Sequence, residues 1–457
     1  MDKKHLNFKE TLMITSMLFG LFFGAGNLIF PIYMGTLAGR NIISALAGFL
    51  VTGVGLPILG VAALGISRSN GLLELSGKVG KGYARFFTCI LYLTIGPFFA
   101  IPRCTTVPYE VGALRLLGDR ASNFSLLIFS LVFFLIVLWF SLRPNGILTW
   151  IGKILNPIFL AVLSVLIITA LLFPGASIKD IPPAPSYTSE AFFTGFLEGY
   201  NTMDALAGLA FGIIVVTVIR DLGIERPEHI AKNTVFSGIF SGLLMAVIYI
   251  AVALVGTQCM GYFSDRQFAN GGEVFAAVAE HYFGGFGAII LAAIVTLACL
   301  KTAIGLITSC SETFEEVFDG KVKYKVWVIL FCSVSFLIAN IGLTNIIEYS
   351  LPVLMFLYPQ AISLILLALT GKFFNHSKTV YISVTVFTLA AAVLDLIKAL
   401  PKGITSALHL DTVITAANAF LPFYRLGLGW ICPLIAGACI GIIIMTVKNL
   451  RRSSHEN

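Results

Sequence analysis

Phe22-Phe23-Gly24-Ala25-Gly26-Asn27-Leu28-Ile29-Phe30-Pro31 interrupts an apolar run that extends from about residue 11 to residue 38. At a rise of ~1.5 Å per residue, such a run exceeds the roughly 20 residues needed to cross a bilayer. Gly24, Gly26 and Asn27 at its centre, with Pro31 about a turn later, are poor residues for an uninterrupted helix. Backbone that unwinds at membrane depth persists only where it is buried in protein or lines a cavity. There its N–H groups, carbonyls and half-helix ends are able to hold a charged solute or a bare cation. The competing reading is a glycine-rich helix-packing face. Asn27 and Pro31, which such a face does not need, favour the broken helix.

Composition widens this to the whole chain. Of 457 residues, 58% are hydrophobic and 12% charged, with mean hydropathy +0.93. A soluble domain carries about 25% charged residues. The chain therefore reads as a polytopic, all-α membrane protein, and nothing in it supports a large soluble domain. The net charge of +7 is explained by topology rather than by nucleic acid. Eight cysteines are scattered without a CxxC pair and read as small apolar fillers. Met1-Asp2-Lys3-Lys4 before an apolar run imitates a signal peptide, but the run is too long and many others follow.

Apolar segments fall at about 11–38, 41–66, 84–112, 124–142, 147–173, 192–219, 232–257, 284–313, 326–342, 344–371, 379–397 and 412–447, about twelve spans. With the N-terminus inside, the inner loops hold roughly 20 Lys and Arg against roughly 8 outside. That bias places both termini in the cytoplasm. Moving the first five spans along by about 180 to 200 residues lands them on spans six to ten. The first interruption then falls on Tyr200-Asn201-Thr202-Met203-Asp204-Ala205-Leu206-Ala207-Gly208. Five is odd, so the second copy would lie upside down, and paired interruptions in matching halves point to a transporter site at the bilayer midplane. The division is 1–174 (first five-helix repeat), 175–191 (proline-rich external linker), 192–371 (inverted repeat) and 372–457 (two further spans and a cytoplasmic tail). Residues 265–284 read either as a short external lid helix or as a surface loop.

At this point the chain resembles a known family, the branched-chain amino acid:cation symporters or BrnQ-type carriers. The likeness rests on Phe23-Gly24-Ala25-Gly26-Asn27-Leu28-Ile29-Phe30-Pro31, Pro97-Phe98-Phe99-Ala100-Ile101-Pro102-Arg103, Thr202-Met203-Asp204-Ala205-Leu206-Ala207 with Phe211-Gly212, and Leu297-Ala298-Cys299-Leu300-Lys301-Thr302-Ala303-Ile304-Gly305-Leu306. It implies a LeuT-like fold of 5+5 inverted repeats with broken helices 1 and 6, plus two extra helices. It also implies uptake of leucine, isoleucine and valine across a bacterial cytoplasmic membrane, usually with sodium, and no cofactor beyond the coupling ion.

The residues suit that task. A zwitterion needs N–H donors for its carboxylate, which Gly24, Ala25, Gly26 and Asn27 are placed to supply. Its ammonium needs acceptors, which the opened turn at Thr202, Asp204 and Ala205 offers. Phe98, Phe99, Phe211 and Ile304 are candidate walls for an aliphatic side chain, each equally explicable as packing. By the resemblance, sodium would lie between Gly20 and Phe23 and Ala298, position 301 and Thr302, since a hard cation requires oxygen ligands. The family's usual threonine at 301 is here Lys301. It lies about 13 residues, or ~20 Å, from the helix end, too far to snorkel. In one reading its ammonium occupies the sodium position and, because buried lysines lose protons readily, couples transport to protons. In another it stays charged against Asp204 or another acid, replaces the ion and leaves a uniporter or exchanger. In a third it faces water and the sodium site shifts.

Arg103 is a candidate gate, or an ion-pair partner of Asp204 or Glu348. Glu198 lies near an outer end, and Asp395 lies outside the repeats. An enzyme finds little support. Gly71-Leu72-Leu73-Glu74-Leu75-Ser76-Gly77-Lys78 has one residue too many for a P-loop, with Val79 where Ser or Thr is needed. HExxH and GxSxG are absent. A channel or a non-transporting sensor remains the rival class, and oligomeric state is not legible.

Overall fold

A computed structural model describes residues 4–24, 26–69, 71–118, 122–143 and 147–456. The first apolar run breaks where its glycines lie. Helix α1 (Phe8–Phe22) starts from an Asn7/Glu10 capping box and ends at Phe23, whose backbone is extended at φ −77, ψ 102. The chain resumes helix as α2 (Gly26–Ala38). Helix α3 joins Ile42–Leu50 to Leu56–Ser67 through a π-turn. A six-residue helix, α4 (Leu72–Gly77), precedes α5 (Lys81–Leu93) and α6 (Ala100–Pro108). Between the last two, Gly96 leaves helical geometry and Pro97 follows it. Helices α7 (Asn123–Ser141) and α8 (Ile147–Leu172) complete the first half.

The second interruption is equally local. Helix α9 (Ala191–Glu198) tightens into a 3₁₀ turn at Gly199–Thr202, Met203 takes a left-handed φ of 61, and α10 (Asp204–Asp221) begins. Left-handed backbone is uncommon for a non-glycine residue, so this local break is imposed by its surroundings. Then follow α11 (Pro227–Cys259) and α12 (Gly271–Val317), bent at Gly284 where φ is 60. Helices α13 (Tyr324–Ala339), α14 (Leu343–Thr370) and α15 (Lys378–Ala399) come next.

Eight of the described helical stretches are long and apolar enough to cross a membrane, with shorter apolar helices at Leu160–Leu172 and Tyr324–Ala339. The final apolar stretch, read as one span over 412–447, is corrected. It divides into a separate helix α16 (Asp411–Phe420) and a membrane-length α17 (Ile431–Glu456). Hydropathy alone does not register the turns between 421 and 430, where Phe423 and Gly427 both adopt positive φ. The 271–284 segment is helical, and Val274–Ala279 are almost fully buried. Asn270 caps it through Gly272 N–H at 2.9 Å and Glu273 N–H at 3.2 Å. From Gly271 on, a surface loop is therefore excluded, while 265–269 form a mostly exposed connection into the helix.

Helix pairing is reciprocal between the halves. The helix after the first break, α3, packs on both parts of the second broken helix, α9 and α10, whereas α11, after the second break, packs on α1 and α2. Small residues permit the approach. A Cβ at Gly48 would lie 1.9 Å from Phe192 O, and one at Gly195 would lie 2.0 Å from Ala45 O. Tight backbone contact of this kind drives helix association where lipid removes the hydrophobic gain.

Candidate functional site

The two interruptions meet. Asn27 turns its side chain back on its own break, accepting from Gly24 N–H through Oδ1 at 2.7 Å. Its Nδ2 donates across to Asp204 Oδ2 at 2.8 Å and contacts the Tyr249 hydroxyl. Tyr249, on α11, donates to the same Asp204 oxygen at 2.7 Å. All three side chains are buried. One carboxylate oxygen thus ties α2, α10 and α11 together, and each buried donor has the partner that burial demands. Thr202 completes the turn, its hydroxyl donating to Gly199 O at 2.9 Å.

This cluster forms one side of a cavity of about 60 Å³. Gly24, Gly26, Asn27, Thr202, Asp204 and Phe211, all named as candidates from the sequence, line it. Ala25 lies outside the described residues. Ala205 is buried behind the lining, with its carbonyl 3.5 Å from where a Cβ of Gly60 would stand. Phe98, Phe99 and Ile304 are not in the wall: Phe98 is partly exposed and packs edge-on against Phe99, and Ile304 is core. The apolar lining comes instead from Phe22, Ile95, Ala100, Met203, Ala207 and Leu306. The positive end of the α2 dipole faces this space through Gly26 and Asn27, a setting that favours an anionic group.

Arg103 makes neither ion pair considered for it. Its guanidinium donates to Asn201 O at 2.9 Å and to Ser350 Oγ, and it lies 5.0 Å from the Phe30 ring centre. The carbonyl freed by the second break is therefore taken by an arginine from α6. Arg103 also lines the central cavity, while Phe30 and Asn201 line a separate, outer cavity of about 400 Å³. Arg103, Phe30 and Asn201 form the layer between the two. Glu348 is on the outer cavity's wall, exposed, and Glu198 there accepts from Asn201 Nδ2 at 3.0 Å. Sequence reasoning missed Tyr249, Ser350 and this layer, because their partners are more than 40 residues away and share no motif.

A second small cavity, about 20 Å³, adjoins the first. Gly20, Phe23, Ala298, Lys301 and Thr302 line it together, so the five residues grouped by resemblance are neighbours in space. Thr302 donates to Ala298 O at 3.1 Å. Gly24 and Thr302 belong to both cavities. The C-terminal end of α1 faces this space, the dipole end that favours a cation.

Apolar helices whose two interrupted members enclose a buried polar site define a membrane transporter of the broken-helix class. The chain shares its fold with Mhp1, a nucleobase-cation-symport-1 family transporter solved in a closed conformation with bromovinylhydantoin bound. The TM-score is 0.59 at 15% identity, covering 97% of this chain and 94% of that one; an inward-facing Mhp1 structure gives 0.54. That likeness is one of fold, the LeuT-like fold. Residues 7–448 match the family described as branched-chain amino acid transport protein. The branched-chain amino acid permease BrnQ of Lactobacillus delbrueckii subsp. lactis is 53% identical over 94% of this chain and 96% of its own. BrnQ of Bacillus subtilis is 41% identical, over 96% of this chain and 98% of its own. The Pseudomonas aeruginosa branched-chain amino acid transport system 2 carrier protein is 36% identical, over 96% and 97%. The chain belongs to the branched-chain amino acid transport protein family.

Proposed function

We propose that this protein is a secondary active transporter that imports leucine, isoleucine and valine into a bacterial cell by alternating access, driven by a cation gradient. The observation that carries this reading is the direct Asn27–Asp204 bond, which joins the two unwound segments around one cavity. The substrate carboxylate meets the start of α2, its ammonium meets Asp204 and Thr202, and its branched side chain meets the apolar wall. Each buried methylene there contributes ~0.8 kcal/mol. The substrate assignment draws on the names of the relatives. The reciprocal packing of α3 and α11 on opposite broken helices supports a 5+5 inverted repeat within twelve spans. The charge bias supports cytoplasmic termini in the bacterial cytoplasmic membrane.

Reconstituted protein should take up radiolabelled L-isoleucine saturably, with competition by L-leucine and L-valine but not by D-isoleucine or L-lysine. Linear, uncompeted flux would favour a channel, and binding without flux a sensor.

Arg103 closes the outer side in this scheme, positioning Asn201 and Phe30 over the substrate. Cys104 lies beside it, almost fully buried, and lines the central cavity. In protein that keeps Cys104 alone of its cysteines, Arg103→Ala should speed labelling by a membrane-impermeant thiol reagent at least about tenfold, because loss of a buried charge-assisted bond is worth about 1.5–3 kcal/mol. Unchanged labelling would remove Arg103 from the gate.

A further inference from the structure

At the end of the bundle that holds the N-terminus lies a cavity of about 760 Å³ between the ends of α3, α11 and α14. The Lys4 carbonyl, which accepts from Asn233 on α11, marks that end. Arg68, Lys78, Lys232 and Lys372 line it together with His376, and Glu228 is the single carboxylate in its wall. Among the described residues, none of these four cations lies within 4 Å of a carboxylate oxygen. Lys78 instead donates to Ser67 O at 3.0 Å and faces the Tyr381 ring. Burial, and then the charges of Lys78, Arg68 and Lys372, hold the His376 imidazole below its ordinary value. The shift reports a positive local field, which Glu228 in the wall and Glu74 beside Lys78 offset only in part. The turn that carries it is strained. Asn375 and His376 adopt left-handed φ of 49 and 51 in succession, closed by His376 N–H to Gly371 O at 2.8 Å. Such strain in non-glycine residues tends to persist where it serves a site.

The other wall of the cavity is apolar. Phe236 and Ile239 of α11 are 53% and 54% exposed. Their stripe continues along the same helix face through Leu243 and Val247, also exposed. A cluster of cations opening onto an apolar groove at membrane depth matches a ligand with an anionic head and a hydrocarbon tail, and a small anion would leave the groove unused. We infer that this cavity binds an acidic phospholipid, its phosphate held by Arg68, Lys78, Lys232 and Lys372 and an acyl chain lying along Phe236 and Ile239. Basic pockets between membrane helices on the cytoplasmic side recognise anionic headgroups by this combination of charge and burial.

The test is thermal unfolding of the full-length protein in a neutral detergent, titrated separately with phosphatidylglycerol, phosphatidylcholine and inorganic phosphate. Phosphatidylglycerol should raise the melting temperature saturably while phosphatidylcholine and phosphate do not. Lys232 and Lys372 are exposed, so Lys232→Gln/Lys372→Gln should fold normally and require about tenfold or more phosphatidylglycerol for the same shift, at roughly fivefold per lost cation. Lys321→Gln/Lys323→Gln, which removes the same charge elsewhere, should behave as wild type. Equal stabilisation by the two lipids, or an unaltered response in Lys232→Gln/Lys372→Gln, would overturn the proposal. Stabilisation by phosphate alone would overturn it in favour of a free-anion site.

Discussion

Asp204→Ala should lower initial isoleucine uptake at least a hundredfold while the protein still reaches the membrane. Asp204 Oδ2 accepts from Asn27 and from Tyr249 in a fully buried setting. Alanine removes the acceptor, which strands the Tyr249 hydroxyl and leaves Asn27 Nδ2 with the Tyr249 oxygen alone. Each unsatisfied buried group costs about 1–3 kcal/mol, and about 2.8 kcal/mol is a hundredfold in an equilibrium. That cost falls on the arrangement in which both breaks face the cavity, so it is expressed as lost transport as well as lost stability. Asp204→Asn separates the two contributions. An amide oxygen still accepts from both donors, so its thermal stability should stay near wild type. It cannot offer a charge to a substrate ammonium, and uptake should fall about tenfold, a charge-assisted bond being roughly twice as strong as a neutral one. If Asp204→Ala transports within threefold of wild type, the cluster is packing and the substrate site lies elsewhere.

The legible and illegible parts of this site differ for a physical reason. Gly24, Gly26 and Asn27 are visible because they contradict the propensity of the helix around them, and Thr202-Met203-Asp204 are visible in the same way. Both contradictions mark real helix ends. Such local conflicts are where functional sites tend to appear. Tyr249 carries no such conflict, since a tyrosine in an apolar helix is unremarkable until an aspartate from another helix faces it. Phe98 and Phe99 follow the Gly96-Pro97 distortion and are not among the residues lining the cavity; propensity signals the bend but not its direction. Arg103 is visible as an expensive intramembrane charge, yet its partner is a backbone carbonyl, which no sequence pattern specifies. The last apolar stretch differs for another reason. Residues 421–430 are apolar enough to sustain a hydropathy average while Phe423 and Gly427 turn the chain.

Lys301→Thr should change what drives transport rather than whether the protein folds. Lys301 and Thr302 share a cavity of about 20 Å³ with Gly20, Phe23 and Ala298. That is room for about one water-sized occupant, so an ammonium and a sodium ion compete for the same space. The carbonyl end of α1 attracts either cation. In wild type, a proton gradient should drive isoleucine accumulation and a sodium gradient should have no effect, with the ammonium supplying the positive charge in the small cavity. Threonine restores an oxygen ligand and removes the titratable group. Lys301→Thr should therefore lose proton-driven uptake by about tenfold or more, since a hydrogen bond to a charged group is worth about 1.5–3 kcal/mol, and gain sodium dependence. Proteoliposomes with imposed gradients, each ion tested separately for both proteins, give four rates. Sodium-driven uptake in wild type would sink the substitution of lysine for the ion. Uptake indifferent to both gradients in wild type, with counterflow intact, would instead favour the exchanger, in which a permanently charged Lys301 holds the site and no ion crosses. The two cavities share Gly24 and Thr302, so a cation that occupies the smaller one lies against residues that also line the proposed substrate cavity.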